Sequence, residues 1–321
     1  MPTITTEWDK RTTGEKIYML KDSHLELYPL FQTFDKKHFK NNAFPDGTVS
    51  IRNQPKQSIV GSEFKKDIAH LFKEVCAKKK KFKDFEILKK RDFNFHKQAG
   101  LIVVKHKKHP FVVKLFMETP RSFVRPYNKG FEPHCIFVIS GGATRHLLGF
   151  TRIKNALSLQ NRLEESSYWS KKVTLPRKWF WVPDNHRWIR LDGYGIGNHK
   201  KITTHMPGVY AIVADYIDAE REFKISNKKD RRIAIDLSNY FLCRIDPHIN
   251  NFLEEKGTGK IAIIDTEHFP TMGGFKERPR MTSYTSWYLH LFTKYCKDRF
   301  GRTKQERRDL QKHPQTPFAL P

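Results

Sequence analysis

Asp246, Asn251 and Asp265 stand close together in "LCRIDPHINNFLEEKGTGKIAIIDTEHFP", residues 242–270, where charged and amide residues are embedded in apolar runs. Phe252 and Leu253 read as a short strand, "EEKGTGK" as the turn and "IAIID" as the returning strand, so a hairpin carries Asp265 back towards Asn251. A carboxylate and an amide brought together in this way offer two hard oxygen donors of the kind magnesium prefers. Asp246, five residues before Asn251, adds a second carboxylate. Transfer of a phosphoryl group calls for such parts: a lysine on the phosphates, an acid and an amide on the metal, and another carboxylate orienting the attacking hydroxyl. Asp and Asn are also ordinary turn formers, and capping of a hairpin and its loop is the plainer explanation of the same residues.

Other elements must bring the remaining parts to this stretch. "GLIVVKHKKHPFVVKLFME" reads as a β-hairpin, with Lys114 in the middle of its second strand. A lysine there needs an explanation, because burying an unpaired ammonium is costly, unless alternation simply turns it to solvent. "FTRIKNALSLQNRLEES" is helical, with Ile153, Leu157, Gln160 and Glu164 on one face. "KVTLPRKWFWVPD" and "GVYAIVADYID" read as strands around a hairpin-like "RLDGYGIGNHKK", and "CIFVIS" is a further strand candidate. "KKDRRIAIDLSNYFLC" and "SYTSWYLHLFTKYCKDRF" read as helices. Ahead of them all, "SEFKKDIAHLFKEVC" has Phe64, Ile68, Leu71, Phe72 and Val75 at helical spacing, with Ser62 placed to cap it.

In order, this is a hairpin with an embedded lysine, a helix with a glutamate, strands, a helix and an acid-bearing loop and hairpin. That order resembles the protein-kinase-like superfamily. "DPHINN" has the Asp-to-Asn spacing of the HRDxxxxN loop and resembles the DxHxxN of aminoglycoside and choline kinases and the DPHPGN of an atypical kinase branch. "IIDTE" is similar to the IDFE or IDWE that stands for Asp-Phe-Gly in small-molecule kinases. The resemblance implies an α+β, two-lobed protein-kinase-like fold with a β-rich N-lobe and a small, shortened helical C-lobe. It implies Asp246 as catalytic base, Asn251 and Asp265 as magnesium ligands, and Lys114 on the third N-lobe strand. Glu164 would be the partner of Lys114, with Glu165 or Glu132 as substitutes. Ala214, Asp215, Tyr216 and Ile217 would lie along the hinge over which the adenine of ATP sits.

The chain departs from the pattern in places. Arg244 and Ile245 replace the loop's His and Arg, Thr266 and Glu267 replace Phe-Gly, and only Gly100 stands where a glycine-rich loop belongs. Only 56 residues follow Asp265, without an Ala-Pro-Glu segment, which suits the compact C-lobe of lipopolysaccharide kinases and other small-substrate enzymes. The expected division is an extended N-terminal arm with little regular structure over 1–60, an N-lobe with insertions over 61–217, and a compact C-lobe with a basic tail over 218–321.

The chain of 321 residues has 60 Lys and Arg against 34 Asp and Glu, a formal charge of +26, which points to an anionic partner. The expected activity is an ATP- and magnesium-dependent phosphotransferase acting on a hydroxyl of a small-molecule or anionic acceptor. Two alternatives remain. One is an inactive pseudokinase that serves as a binding module. The other is a basic nucleic-acid-binding protein using aromatic residues such as Trp179, Trp181 and Trp188 as stacking platforms. The cluster Lys78–Lys81 is a candidate contact for nucleic acid or an acidic membrane surface. Four dispersed cysteines, no secretion signal and no apolar run that spans a bilayer read as a soluble cytoplasmic protein, with export by a non-cleaved signal left open. No zinc spacing and no GxSxG nucleophile motif occurs.

Overall fold

The computed structural model describes residues 17–19, 36–118, 142–184, 188–195, 201–269 and 281–300. The architecture is mixed α+β with several, mainly antiparallel, sheets. A six-stranded sheet has the order β4 (Phe85–Lys89), β6 (Ala99–His106), β7 (Phe111–Met117), β12 (Val209–Asp215) and β9 (Lys178–Trp181), with β5 (Phe93–Asn94) also paired to β6. A four-stranded sheet runs β13 (Ala219–Glu222), β14 (Phe252–Glu255), β15 (Ile261–Ile263) and β8 (Val173–Thr174). Strands β2 (Thr48–Ile51) and β3 (Gln54–Val60) form a hairpin, and β1 (Ile17–Met19), β10 (Trp188–Gly195) and β11 (Lys201–Pro207) a separate sheet. The helices are α1 (Lys36–Asn41), α2 (Gly61–Cys76), α3 (Gly142–Gly149), α4 (Thr151–Glu164), α5 (Trp169–Lys172), α6 (Lys228–Tyr240) and α7 (Tyr284–Phe300).

Alternation along β7 sorts the six-stranded sheet into two faces. Val113 and Leu115 point to one side with Ala211, Val213 and Trp181, where Phe64, Ile68, Leu71 and Val75 of α2 cover them in a continuous apolar cluster. Lys114 points to the other. It is in register with Ile212, which is in register with Phe180, while Lys178 is opposite Ala214 two positions along. Directly opposed residues share a face, so Lys114 and Lys178 emerge on the same side of the sheet. An aromatic stack fills the rest of that side: Phe116 on Tyr210 at 4.7 Å, and Tyr210 on Phe150 at 4.4 Å.

A second apolar cluster lies beneath that face and joins Leu159 and Leu163 of α4, Leu237 and Phe241 at the end of α6, Phe252, Ile263, Tyr284 and Trp287. The segment read as one strand, "KVTLPRKWFWVPD", divides. Strand β8 pairs in parallel with β15, and after Leu175, Pro176 and Arg177 the chain joins the six-stranded sheet as β9. Proline has no amide to donate to a ladder, which suits a crossing point between sheets.

The reading of residues 1–60 as an arm with little regular structure needs correction over 36–60. Helix α1 leads to Asn42, whose carbonyl accepts from the Phe180 amide at 2.8 Å, and the Phe44 amide donates to the Phe180 carbonyl at 2.7 Å. Phe44, Val49, Ile51 and Ile59 are core residues. Turn-forming residues had concealed a tightly folded β2–β3 hairpin. Helix α2 begins at Gly61 with Val60 as its cap, so Ser62 is inside the first turn and its amide donates to the Asp46 carbonyl. A Cβ on Gly61 would stand 2.0 Å from the Pro45 carbonyl oxygen, which explains glycine at that joint. The candidate strand "CIFVIS" lies outside the described residues.

Gly149, at the end of α3, has the same close approach to the aromatic stack: a Cβ there would lie 1.8 Å from the Tyr210 hydroxyl oxygen and 3.1 Å from Phe116. Gly149→Ala should therefore destabilise the fold by about 1–3 kcal/mol through overpacking, read as a lower urea midpoint. The double variant with Tyr210→Phe should lose less than the sum of the two single losses; strict additivity would show that the two residues do not meet.

Candidate functional site

Residues 244–251 form a loop whose alternate side chains anchor it. Ile245, Pro247 and Ile249 are buried, which turns Asp246, His248 and Asn250 towards the opposite side. The approach to it is sharply wound: Leu242 and Cys243 both have left-handed backbones, φ 55° and 59°, and the Cys243 amide closes on the Ser238 carbonyl at 2.7 Å. Two consecutive non-glycine residues in this region carry backbone strain that the surrounding packing must hold. The Ser238 hydroxyl donates to the Ile245 carbonyl, and the Ile249 amide donates to the Tyr284 hydroxyl at 2.9 Å.

Within the loop, the His248 amide donates to Asp246 Oδ1 at 2.9 Å, and Asn251 Nδ2 donates to the Asp246 carbonyl at 3.1 Å. The Ile264 amide donates to the Asn251 carbonyl at 3.0 Å, so the hairpin delivers Asp265 beside the loop as its spacing predicts. Burial, reinforced by the negative charges of Glu267 and Asp265 against the opposing His248 amide, pushes the Asp246 carboxyl up to about 8. A carboxylate with that affinity for a proton is suited to general base catalysis near neutral pH.

Asp265 is the centre of the cluster. Lys114 Nζ lies 3.3 Å from its Oδ2, and Arg152, in the first turn of α4, places Nε 2.8 Å from Oδ1 and Nη2 3.3 Å from Oδ2. The same Nη2 is 3.1 Å from Glu267 Oε2, and the Glu267 amide donates to Asp265 Oδ1. Burial alone would raise the Asp265 carboxyl, but Arg152 and Lys114 more than reverse it and hold it well below the usual carboxylate range. Burial raises the Glu267 carboxyl and lowers the Lys114 ammonium, the latter partly offset by Asp265. Lys178 is pulled well down, first by burial and then by the charge of Lys114, and its Nζ donates to the Thr266 hydroxyl at 2.7 Å. That hydroxyl in turn donates to the Arg152 carbonyl at 2.6 Å, and Asn155 Nδ2 bridges the Arg244 and Thr266 carbonyls.

The sequence therefore places Asp246, Asn251, Asp265 and Lys114 in one region. Glu164 does not join them. It sits at the exposed end of α4, where it accepts a hydrogen bond from Gln160, and the ion pair of Lys114 is with Asp265 instead. Glu165 is the C-cap of α4, and Glu132 lies outside the described residues. Of the residues expected along a hinge, Asp215 is committed to Arg177, whose Nη2 is 2.8 Å from Oδ1, and its amide donates to the Arg177 carbonyl. The Tyr216 amide donates to the Pro110 carbonyl, and Lys105 Nζ lies 3.8 Å from the centre of the Tyr216 ring. Ala214 is on the same sheet face as Lys178. The Ile217 backbone makes no hydrogen bond among the described residues.

Magnesium at this carboxylate would need free oxygen donors and a surplus of negative charge. Asn251 spends its Nδ2 on Asp246 and retains an amide oxygen, but both Asp265 oxygens are occupied by cations. Asp265 and Glu267 are matched one for one by Lys114 and Arg152, and Asp246 holds its proton at neutral pH, so no surplus negative charge remains. Among the described residues, no group of three or more His, Cys, Asp or Glu is placed to hold a metal ion. As arranged, the residues do not fit a magnesium ion at Asp265.

Arg152, Asn155, Lys178 and Glu267 were missed as site residues. Reading α4 by its apolar positions put Leu157, Gln160 and Glu164 inward, whereas Leu157 is half exposed and the buried stripe is Arg152, Asn155, Leu159 and Leu163. Those four recur at the i, i+3, i+7, i+11 spacing of one helix face, which is a legible signal once polar residues are admitted to it. Trp181 is a core residue and Trp179 is half-buried against the same cluster; the Trp188 side chain lies outside the described residues. Compared with protein-family models and with curated proteins, the chain matches none.

Proposed function

We propose that this chain is a kinase-like phosphotransferase that moves a phosphoryl group from a nucleoside triphosphate to a hydroxyl of a small-molecule or anionic acceptor. In this reading the six-stranded sheet and the helical cluster beneath it act as two lobes, with residues 215–218 between them and ATP in the cleft. The observation that carries it is the meeting of Lys114 and Asp265, 151 residues apart, beside a loop that holds a proton-avid Asp246. Lys114 lies 14% exposed and Asp265 21%, so both keep some accessible surface. Asp246 would take the proton of the acceptor hydroxyl, with its carboxylate oriented by the His248 amide. Lys114 would neutralise charge on the transferred phosphates.

Asp246→Asn should leave nucleotide affinity within about threefold and reduce transfer at least 100-fold. Because the base must be ionised, wild-type transfer should rise with pH and level off above about 8. Isothermal titration and a radiolabel transfer assay measure the two effects. An Asp246→Asn protein that transfers normally would remove the base assignment, and nucleotide binding without any transfer would make the chain a binding module.

A second reading rests on a different surface. Lys56, Lys105, Lys107 and Lys108 line a groove of ≈ 860 Å³ with Tyr216, bounded by the β2–β3 hairpin and the β6–β7 turn. Lys107 Nζ donates to the Phe82 and Lys83 carbonyls, which sets the groove beside the segment that follows Lys78–Lys81. Among the described residues, Lys56, Lys80, Lys81, Lys83 and Lys108 form no ion pair. Such uncompensated charge around a concavity suits a single-stranded nucleic acid backbone better than a flat membrane. Replacing Lys56, Lys105 and Lys108 with Gln should flatten the dependence of log affinity for oligouridylate on log salt by about 2. Changing Lys228, Lys229 and Arg232 to Gln removes equal charge elsewhere and should have a smaller effect. Equal losses from both triples would mean diffuse charge and no groove site.

A further inference from the structure

We infer that Arg152 takes the place of a divalent cation at Asp265, so that the cleft binds a nucleoside triphosphate without metal; this rests on the nucleotide-binding reading above. A metal at this carboxylate would need a free oxygen and a local excess of negative charge. Neither is available. Arg152 covers both oxygens of Asp265 through Nε and Nη2, and Lys114 covers Oδ2 a second time.

Arg152 is built into this position. Only 3% of its side chain is exposed, Glu267 holds Nη2 from the far side, and its carbonyl accepts the Thr266 hydroxyl. Two residues further along the chain from Ile153, Asn155 ties α4 to the acid-bearing loop by bridging Arg244 and Thr266. The guanidinium rests above the Phe116 ring, 5.4 Å from its centre, with the Phe116–Tyr210 stack as its floor. A cation so enclosed by two carboxylates, a ring and backbone contacts is fixed in place and does not exchange with solvent as a metal would.

One nitrogen of that guanidinium remains, with two N–H groups. Arg152 Nη1 is buried and has no hydrogen-bond partner among the described residues, and a buried N–H on a charged group is costly to leave so. A phosphate oxygen would satisfy it. Guanidinium matches phosphate geometry, and Lys114 and Lys178 add two further amines from the same sheet face. Lys178 is 8% exposed and donates only to Thr266 among the described residues, so it retains N–H groups for a second phosphate oxygen. Three nitrogen groups therefore converge on the cleft from β7, β9 and α4, the role that a protein cation and a metal share in other phosphate sites.

The test is titration of the full chain with ATP, ADP and adenosine, in EDTA and in magnesium, followed by thermal shift and calorimetry. Wild-type protein should bind ATP in EDTA within about threefold of its affinity in magnesium. Arg152→Gln should weaken metal-free ATP binding at least tenfold, leave adenosine unchanged, and recover part of the loss when magnesium is added, because Asp265 is then freed. A purely structural role for Arg152 would weaken adenosine and ATP alike and would overturn the proposal. So would wild-type binding of ATP that appears only with magnesium, an outcome that leaves the nucleotide reading intact. Absence of any nucleotide response, with or without metal, would remove both. The wild-type comparison needs no variant, and Arg152→Lys, which keeps the charge but not the fork, should fall between wild type and Arg152→Gln.

Discussion

The ion cluster around Asp265 is the contact on which the rest of this structure depends. Lys114 comes from the six-stranded sheet, Arg152 from α4, and Asp265 and Glu267 from the chain leaving β15, so one carboxylate ties the sheet, whose other face packs in the first apolar cluster, to α4 and β15, which share the second. Buried charges are tolerated only when each is paired and hydrogen-bonded. Here the two cations come from the sheet and from α4, and the two acids from the chain leaving β15, which makes the relative placement of those elements a condition for folding. Thr266, Lys178 and Asn155 complete the arrangement by consuming neighbouring backbone carbonyls and a hydroxyl.

The same pairing sets the chemistry. By matching Asp265 with fixed cations, the protein holds that acid ionised, while Asp246, pushed up to about 8, has a proton exchangeable near neutral pH, which the negative charges of Asp265 and Glu267 help to keep bound. Two acids nineteen positions apart thus have opposite tendencies, one held ionised by Arg152 and Lys114 and the other held protonated by burial. Divergent behaviour of neighbouring acids is how a site separates an electrostatic role from a proton-transfer role.

Much of this is legible in the sequence itself. The hairpin that returns Asp265 to Asn251 followed from two short apolar runs around a glycine-containing turn, and Lys114 stood out because an ammonium interrupts a valine-rich strand. Arg152 did not stand out, because a basic residue in an amphipathic helix is ordinarily solvated, and only the three-dimensional position of Asp265 gives it a reason to be buried. Glu164 is the partner that the resemblance implies for Lys114, but it lies at the exposed end of α4, and the lysine pairs with Asp265 on the hairpin instead. The fold of 36–60 was hidden for a different reason: closely spaced turn residues describe a tight hairpin as well as they describe an arm, and sequence spacing alone does not separate the two.

The most direct test of the cluster's role is a double-mutant cycle on unfolding free energy with Arg152→Met and Asp265→Asn. Each single change leaves a buried charge without its partner and should cost about 3–5 kcal/mol. The double variant leaves Lys114 and Glu267, one charge of each sign, and should be more stable than either single variant. Losses that simply add would contradict the account, because Arg152 and Asp265 would then be independent residues.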